Sequence, residues 1–381
     1  MLYVPHEVVT EILLRLPVST LIRFRRVCRA CRRTISDDPS FQRTHLHRHR
    51  TDPGLLIAPW VHDYTDKNYL GGGIAADLYQ WEEDHPYDAA TALVIMPVRE
   101  VPEFAHCDGL VLVGTQSAAW VLNLATRRIL ALHARLLGIV VAFGLGRDPR
   151  SKAYKVAHFY YRTRHDIVIG NIYTPCVEVF TIGSTGRCWH QMAQPPCTIM
   201  ARRTATFFKG SLIWAVGYRK RCDRGPLGFL RLRLDAETFS IIPPPPCWSC
   251  DDQDTSELCL TSRTGLMNRA LDMWRRTDLD KSQWETRYNI VIGWTQPLHP
   301  VAMLVDGVLV CRSSHNHLHR CTYQPGKSVA VNHTICMNNL RYYSVVENTF
   351  VDVGEDTLVE YPRQTDVYFN AIPYVPSFVT I

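Results

Sequence analysis

The sequence predicts an α+β multidomain protein, with a short three-helix domain over residues 1–50 followed by an all-β, β-propeller-like domain. Three observations carry this expectation. Before residue 50 the apolar residues recur at helical spacing; after it they fall in short Val/Ile/Leu/Tyr/Phe runs bounded by Gly, Pro, Asp and Asn. A phrase of glycine, apolar run, polar turn and apolar run recurs at Gly109, Gly210 and Gly307, which lie 101 and 97 residues apart. Candidate units at Asp148-Pro149-Arg150 and around Leu271 to Trp284 fall between them, giving a pitch of about 50 residues, the length of a propeller blade. Finally, the net charge of +6 is confined to residues 1–50, which hold ten Arg, no Lys and four acids, while the remaining 331 residues balance. With 46% hydrophobic and 20% charged residues in 381, disorder and fibrous repeats are excluded.

The helical elements follow in order. Pro5 stands as a first-turn proline, and Val9, Ile12, Leu13 and Leu16 share one helical face until Pro17 stops the helix. Ser19 is a candidate N-cap for a second helix whose stripe is Phe24, Cys28, Cys31 and Ile35, widened by Leu21 and Val27. Its other faces carry Arg23, Arg25, Arg26, Arg29, Arg32 and Arg33. Asp38 and Pro39 form an N-cap and N1 pair for a third helix containing Phe41, His45 and Leu46. Three short helices bury little apolar surface alone, so part of these stripes is expected to face a partner or the next domain.

The β-rich domain is expected over residues 51–335, with residues 336–381 a C-terminal segment and candidate source of closing strands. Strands are expected at Leu110–Val113, Trp120–Leu124, Tyr154–Tyr161, Val177–Ile182, Ser211–Val216 and Phe229–Leu234. Thirteen irregularly spaced Cys do not form a disulfide framework, and Glu7, Glu11 and Arg15 interrupt any secretion-signal core. The thiols are therefore expected reduced and the protein intracellular, cytoplasmic and/or nuclear. The longest apolar run, Leu136 to Gly146, covers about half of the ~20 residues a bilayer-spanning helix needs, so no membrane partner is expected.

Other motifs bear on chemistry. Gly144-Leu145-Gly146 fails as a dinucleotide loop because Arg147-Asp148-Pro149 stands where a helix would open, and it reads as a turn. Cys247 and Cys250, with Cys222 or Cys259, have zinc-ligand spacing, and His315, His317 and His319 alternate as on one face of a strand. A propeller enzyme or metal-binding protein is thus the alternative reading. Exposed polar residues and loop thiols are the plainer one, and no cofactor is expected. The Arg-rich second helix raises phosphate binding as a third reading, but Asn and Gln base readers are missing from it, which argues against nucleic acid. Acids and aromatics over residues 60–88 read as early strands with acidic loops in preference to a ligand-binding edge. The sequon Asn332-His333-Thr334 has no secretory route to be used.

The run from Val4-Pro5 through Ile12-Leu13, Leu16-Pro17 and Leu21 to Val27-Cys28 resembles an F-box, and Ile35-Ser36-Asp37-Asp38-Pro39-Ser40-Phe41 resembles the way plant F-box motifs end. The usual leucine is Val4, and the usual tryptophan of the VCxxW segment is Cys31. Beyond it, Cys107-Asp108-Gly109-Leu110-Val111, Leu122-Asn123-Leu124-Ala125-Thr126-Arg127-Arg128 and Phe143-Gly144-Leu145-Gly146-Arg147-Asp148-Pro149 resemble, in order, motifs of the plant F-box-associated domain. Val177-Glu178-Val179-Phe180, Leu212-Ile213-Trp214 and Leu271-Asp272-Met273-Trp274 continue the series. The resemblance implies a non-catalytic receptor subunit of an SCF-type cullin-RING ubiquitin ligase. In it the helices dock on the small acidic Skp adaptor, the cullin joins through that adaptor, and the β domain binds a target protein. By position, Val4, Pro5, Ile12, Leu13, Leu16, Pro17, Leu21, Val27 and Cys28 are implied to form or support the adaptor contact.

Overall fold

A computed structural model describes residues 5–50, 53–62, 73–75, 78–81, 103–114, 119–132, 139–166, 170–183, 189–199, 204–216, 228–244, 255–256, 259–260, 263–265, 268–275, 284–291, 298–305, 307–313, 318–322, 330–335, 343–346, 349–352, 367–379 and 381. The N-terminal segment holds four helices where the sequence predicts three: α1 (His6–Leu13), α2 (Val18–Phe24), α3 (Arg29–Asp37) and α4 (Pro39–His49). The second predicted helix is broken. After α2, the N–H groups of Arg26 and Val27 turn back to the carbonyls of Arg23 and Phe24, and Cys28 then becomes extended at φ −154° and ψ 164°. The break lets Leu21 and Ile35 enter the same core, both with 0% exposure, while Phe24 and Val27 turn outward. Two caps also differ from expectation. Pro17, in place of Ser19, caps α2, and Pro5 sits at the cap of α1 just ahead of its first turn. Asp38 caps α4 as expected, its carboxylate accepting from the N–H groups of Ser40 and Phe41 at 2.8 and 3.3 Å, with Pro39 in the first turn.

Antiparallel sheets follow along the chain. β1 (Gly54–His62), β2 (Gly73–Ala75) and β3 (Tyr79–Trp81) open the first. The second runs in order through β4 (Glu103–Cys107), β5 (Leu110–Gly114), β6 (Ala119–Asn123) and β7 (Arg128–Leu132). The third is built of β8 (Ile139–Arg147), β9 (Tyr154–Asp166), β10 (Gly170–Thr181) and β11 (Trp189–Gln191). β12 (Thr206–Phe208), β13 (Ser211–Ala215), β14 (Phe229–Arg233) and β15 (Thr238–Ile242) make the fourth. In the fifth, β16 (Thr255–Ser256) pairs β17 (Cys259–Leu260), and β17, β18 (Arg263–Gly265) and β20 (Glu285–Val291) all pair β19 (Asn268–Arg275). β21 (Leu298–Val305), β22 (Val308–Ser313), β23 (Leu318–Thr322) and β24 (Ala330–Ile335) form the sixth. A two-stranded ladder of β25 (Tyr343–Val346) and β26 (Thr349–Asp352) comes next, and β27 (Val367–Tyr374) returns to the first sheet. There β27 runs antiparallel to β1 from Gly54 opposite Tyr374 to Val61 opposite Val367.

The sheets pack in a ring. Leu56 and Tyr374 of the first sheet meet Val111, Val113 and Leu122 of the second. Leu110, Leu112 and Val121 meet Phe143, Leu145 and Val156 of the third, whose opposite face of Ala157, Phe159, Val177 and Val179 meets Leu212, Trp214, Leu230 and Leu232 of the fourth. Trp284, at the entry to β20, packs on the fourth sheet through Phe229 and Ile242, and β16 packs on β21. Val310 and Leu318 of the sixth sheet then meet Leu55, Ile57, Tyr79 and Trp81 of the first. This is the β-propeller-like arrangement the repeat pitch predicts, closed by a strand from the end of the chain lying against the first strand after the helices.

The recurrent phrase has a backbone basis. Gly109, Gly210 and Gly307 each stand in the hairpin before the second strand of a sheet, at φ of +81°, +75° and +81°. The preceding Asp108 and Lys209 are also left-handed, at 53° and 44°, as the tight turn between twisted strands requires. One expectation fails. Gly144-Leu145-Gly146 is not a turn; it lies within β8, and the turn starts at Asp148. A Cβ on Gly144 would come within 2.7 Å of Ala205 and 3.1 Å of Trp214, and one on Gly146 within 2.5 Å of Phe207. These glycines let the fourth sheet approach the third closely.

Candidate functional site

The helices build their own small core and leave a second apolar set outside it. Leu13, Leu14, Val18, Leu21, Ile35 and Phe41 are buried together with Phe378 from the C-terminal tail. Outside that core, Val8 (48% exposed) and Ile12 (53%) lie one turn apart on α1, and Phe24 (36%) and Val27 (69%) lie at the end of α2 and in the turn after it. Four large apolar side chains left in water over so short a segment mark a contact surface more readily than a stable free surface. Arg15, Arg23, Arg26, Arg29, Arg32 and Arg33 are exposed on the same short segment, so a partner docking on its apolar residues meets a cationic surface. Glu11 offsets part of this charge on α1, pairing with Arg48 at 2.9 Å and Arg15 at 3.3 Å, and the hydrogen bond from Arg48 leads in holding its carboxyl below the usual range.

The residues singled out from the sequence divide between surface and core. Pro5, Ile12, Pro17, Val27 and Cys28 are exposed, Leu16 is half-buried against the core, and Leu13 and Leu21 lie inside it. Val4 lies outside the described residues. Val8 and Phe24 belong to the outward set but were missed. Val8 sits off the stripe of Val9, Ile12, Leu13 and Leu16, and Phe24 falls in a stripe whose continuity the break after α2 ends. Leu14 and Val18 are core residues that the stripe also passed over.

The helical segment is mounted firmly on the propeller. The tail after β27 runs under it. Phe378 packs into the helical core, its ring centroid 5.9 Å from that of buried His45, and Ala125 of the β6–β7 turn packs against the same cluster. His45 Nε2 is 2.8 Å from the carbonyl of Leu16, and burial pulls its ring toward the neutral form. Asn123 Nδ2 donates to the carbonyls of Ser377 and Val379 at 3.2 and 2.7 Å, and its Oδ1 accepts from the N–H of Thr126 at 3.0 Å. Asp108, with its side chain only 4% exposed, gathers Arg50 from the end of α4, Arg147 at 3.8 Å and the hydroxyl of Tyr154 at 3.0 Å. Ser377 donates to the backbone carbonyl of Asp108. Burial first, and then the Asp108 charge, push the Tyr154 phenol well above its usual value, so it remains a hydrogen-bond donor.

The alternative chemical sites fall mostly beyond description. Cys222, Cys247, Cys250, His315 and His317, with most of the acidic stretch over residues 60–88, lie outside the described residues, while His319 is half-buried on β23. Among the described residues no group of three or more His, Cys, Asp or Glu is placed to hold a metal ion. Nor is any described helix long and apolar enough to cross a membrane.

A four-helix segment with outward apolar and basic side chains, fixed on a propeller-like ring, defines a two-module interaction protein. The segment itself is an F-box domain, since residues 1–43 match the family model described as "F-box domain". The chain as a whole is similar to an F-box/kelch-repeat protein of Arabidopsis thaliana, at 22% identity over 345 residues that cover 83% of this chain and 76% of the relative. It is also similar to an F-box protein of the same plant, at 25% identity over 82% of this chain and 76% of that one. A second F-box/kelch-repeat protein of Arabidopsis thaliana aligns at 24% identity over 64% of this chain and 62% of its own length. Among solved structures, an oligogalacturonate lyase in complex with manganese aligns with a TM-score of 0.40 at 8% identity, over 77% of this chain and 81% of that one, a likeness too distant to speak for chemistry.

Proposed function

We propose that this protein is the substrate-recognition subunit of an SCF-type cullin-RING ubiquitin ligase. In this reading its F-box docks on a Skp adaptor, the cullin joins through that adaptor, and the propeller-like domain binds a target protein. The observation that carries the reading is the F-box match over residues 1–43 on a segment whose apolar residues Ile12 and Val27 remain 53% and 69% exposed. Pro5, Ile12, Pro17, Val27 and Cys28, with Val4, supply the adaptor contact. Leu13, Leu16 and Leu21 support it from beneath, and Val8 and Phe24 extend it. Exposed Arg side chains around this face suit an acidic adaptor. The chain itself does not catalyse ubiquitin transfer; it raises the rate of that transfer by holding the target near the ligase. It acts in the cytoplasm and/or nucleus.

Cys31, standing where the family has tryptophan, removes much of a large aromatic contact, and affinity for the adaptor is lower by up to a few kcal/mol. Co-expression of the full chain with a Skp adaptor and a cullin tests the proposal. Recovery of both proteins on the tagged chain supports it. Recovery of neither, repeated with Cys31→Trp, rejects it.

A further inference from the structure

Cys28 caps α3, a nine-residue helix, and Cys31 lies in its first turn. Cys28 is the N-cap residue, and its Sγ accepts the backbone N–H of Cys31 at 3.3 Å. A sulfur placed there faces the unpaired N–H groups and the positive end of the helix, both of which favour thiolate over thiol. Cys28 is exposed and Cys31 is half-buried behind it. The two thiols are pushed apart in acidity: the Cys31 N–H and then its thiol lower Cys28, while burial and then the neighbouring sulfur raise Cys31. Arg29, Arg32 and Arg33 are exposed on the same helix.

The pair differs from the other thiols described. Cys107, Cys176, Cys311 and Cys321 are buried, and Cys197 is half-buried, with burial raising its thiol to about 11. Cys311 and Cys321 lie on adjacent strands, but at 4% and 0% exposure they are closed to a solvent oxidant. Residues three apart on a helix have Cβ atoms about 5–6 Å apart, and a disulfide spans roughly 3.5–4.5 Å. Cys28 lies outside the helical conformation, so its own torsions are free to close that difference.

We propose that Cys28 and Cys31 form a peroxide-reactive dithiol that converts reversibly to an intramolecular disulfide, with Cys28 the attacking sulfur and Cys31 the resolving one. The oxidant is hydrogen peroxide. The Cys28 thiolate attacks one peroxide oxygen, the O–O bond breaks, and the departing oxygen leaves as water after taking a proton, giving a sulfenic acid. The Cys31 sulfur then attacks the Cys28 sulfur, the S–O bond breaks, and the second oxygen leaves as water with the remaining thiol proton. Two thiols lose two electrons, and the peroxide gains them. An external thiol reverses the step by exchange. Cys28 also belongs to the proposed adaptor contact, next to Val27, the most exposed of the four outward apolar residues at 69%; the oxidation is read on the free chain and does not depend on that contact.

The test exposes the reduced full chain to substoichiometric hydrogen peroxide, alkylates the remaining thiols, digests without reduction and reads the peptides by mass spectrometry. The expected product in the wild type is a disulfide joining the peptides that contain Cys28 and Cys31, formed before Cys311 or Cys321 is oxidised. Cys31→Ser is expected to trap Cys28 as a sulfenic acid that dimedone captures. Cys28→Ser, which keeps the helix cap because serine is a good N-cap residue, is expected to leave Cys31 alkylatable. The proposal fails if Cys28 and Cys31 both stay alkylatable in the wild type while the buried thiols oxidise, or if Cys31 is oxidised as fast in Cys28→Ser as in the wild type.

Discussion

Lys155 ties two sheets together with a single cation. At the start of β9 its Nζ donates to the carbonyl of Leu234 at 2.8 Å and to Glu237 at 2.9 Å in the β14–β15 turn, and lies 3.1 Å from Asp148 Oδ2. Glu237 also meets His190 of β11 at 3.0 Å, so the third and fourth sheets share one charge network. Lys155→Met leaves carboxylates without their cation, and breaking a buried pair costs about 3–5 kcal/mol. Denaturant unfolding is expected to show a loss of that order. Asp148 adds a pH signature. Burial raises its carboxyl, but the Ser151 hydroxyl, the Arg150 N–H and Lys155 together hold it down to about 2. A lowered carboxylate contributes stability above its unfolded value of 3.8, and that stability is lost as pH falls toward about 2. Between these pH values the wild type is expected to lose stability more steeply than Asp148→Asn, measured by denaturant titration at stepped pH. None of these three partners is close to Lys155 in sequence except Asp148, which is why the network could not be read from spacing.

At the scale of elements, the sequence was legible where a feature depends on its own neighbours. Asp38-Pro39 as a helix start, and Gly109, Gly210 and Gly307 as hairpin glycines, follow from local backbone demands. The helix break at Cys28 and the strand position of Gly144 and Gly146 were not legible, because both answer to tertiary contacts: a shared core for Leu21 and Ile35, and close approach of Trp214. The same division sorted the F-box residues. Periodicity found the apolar set but not which members face inward. Leu21, at 0% exposure, is expected to lose about 2–5 kcal/mol of stability on truncation to Ala, read as a lower unfolding midpoint. Val27→Ala, at 69% exposure, is expected to leave that midpoint nearly unchanged.

Across the whole molecule, the tail after β27 links ring closure to the mounting of the F-box. Phe378 sits in the helical core at 5% exposure, and Asn123 holds the tail's backbone on the second sheet. Phe378→Ala is expected to cost about 3–5 kcal/mol, and hydrogen exchange is expected to rise in α2 to α4 before it rises in the propeller. Sequence reading placed residues 336–381 as candidate closing strands, but the burial of Phe378 against helices more than 300 positions earlier left no local mark. Net charge also acquires a location. The +6 belongs to the segment that carries the outward apolar face, and the propeller-like domain is balanced.

Calorimetric titration of a Skp adaptor into the full chain tests the central claim most directly. Three proteins enter it: the wild type, an Ile12→Asp/Val27→Asp double variant, and Ile129→Asp, which places the same charge at a 59% exposed apolar residue on the propeller. One-to-one binding is expected for the wild type and for Ile129→Asp. The double variant is expected to bind at least tenfold more weakly, about 1.4 kcal/mol, with an unchanged unfolding midpoint. No binding by the wild type, or equal binding by the double variant, would contradict the claim.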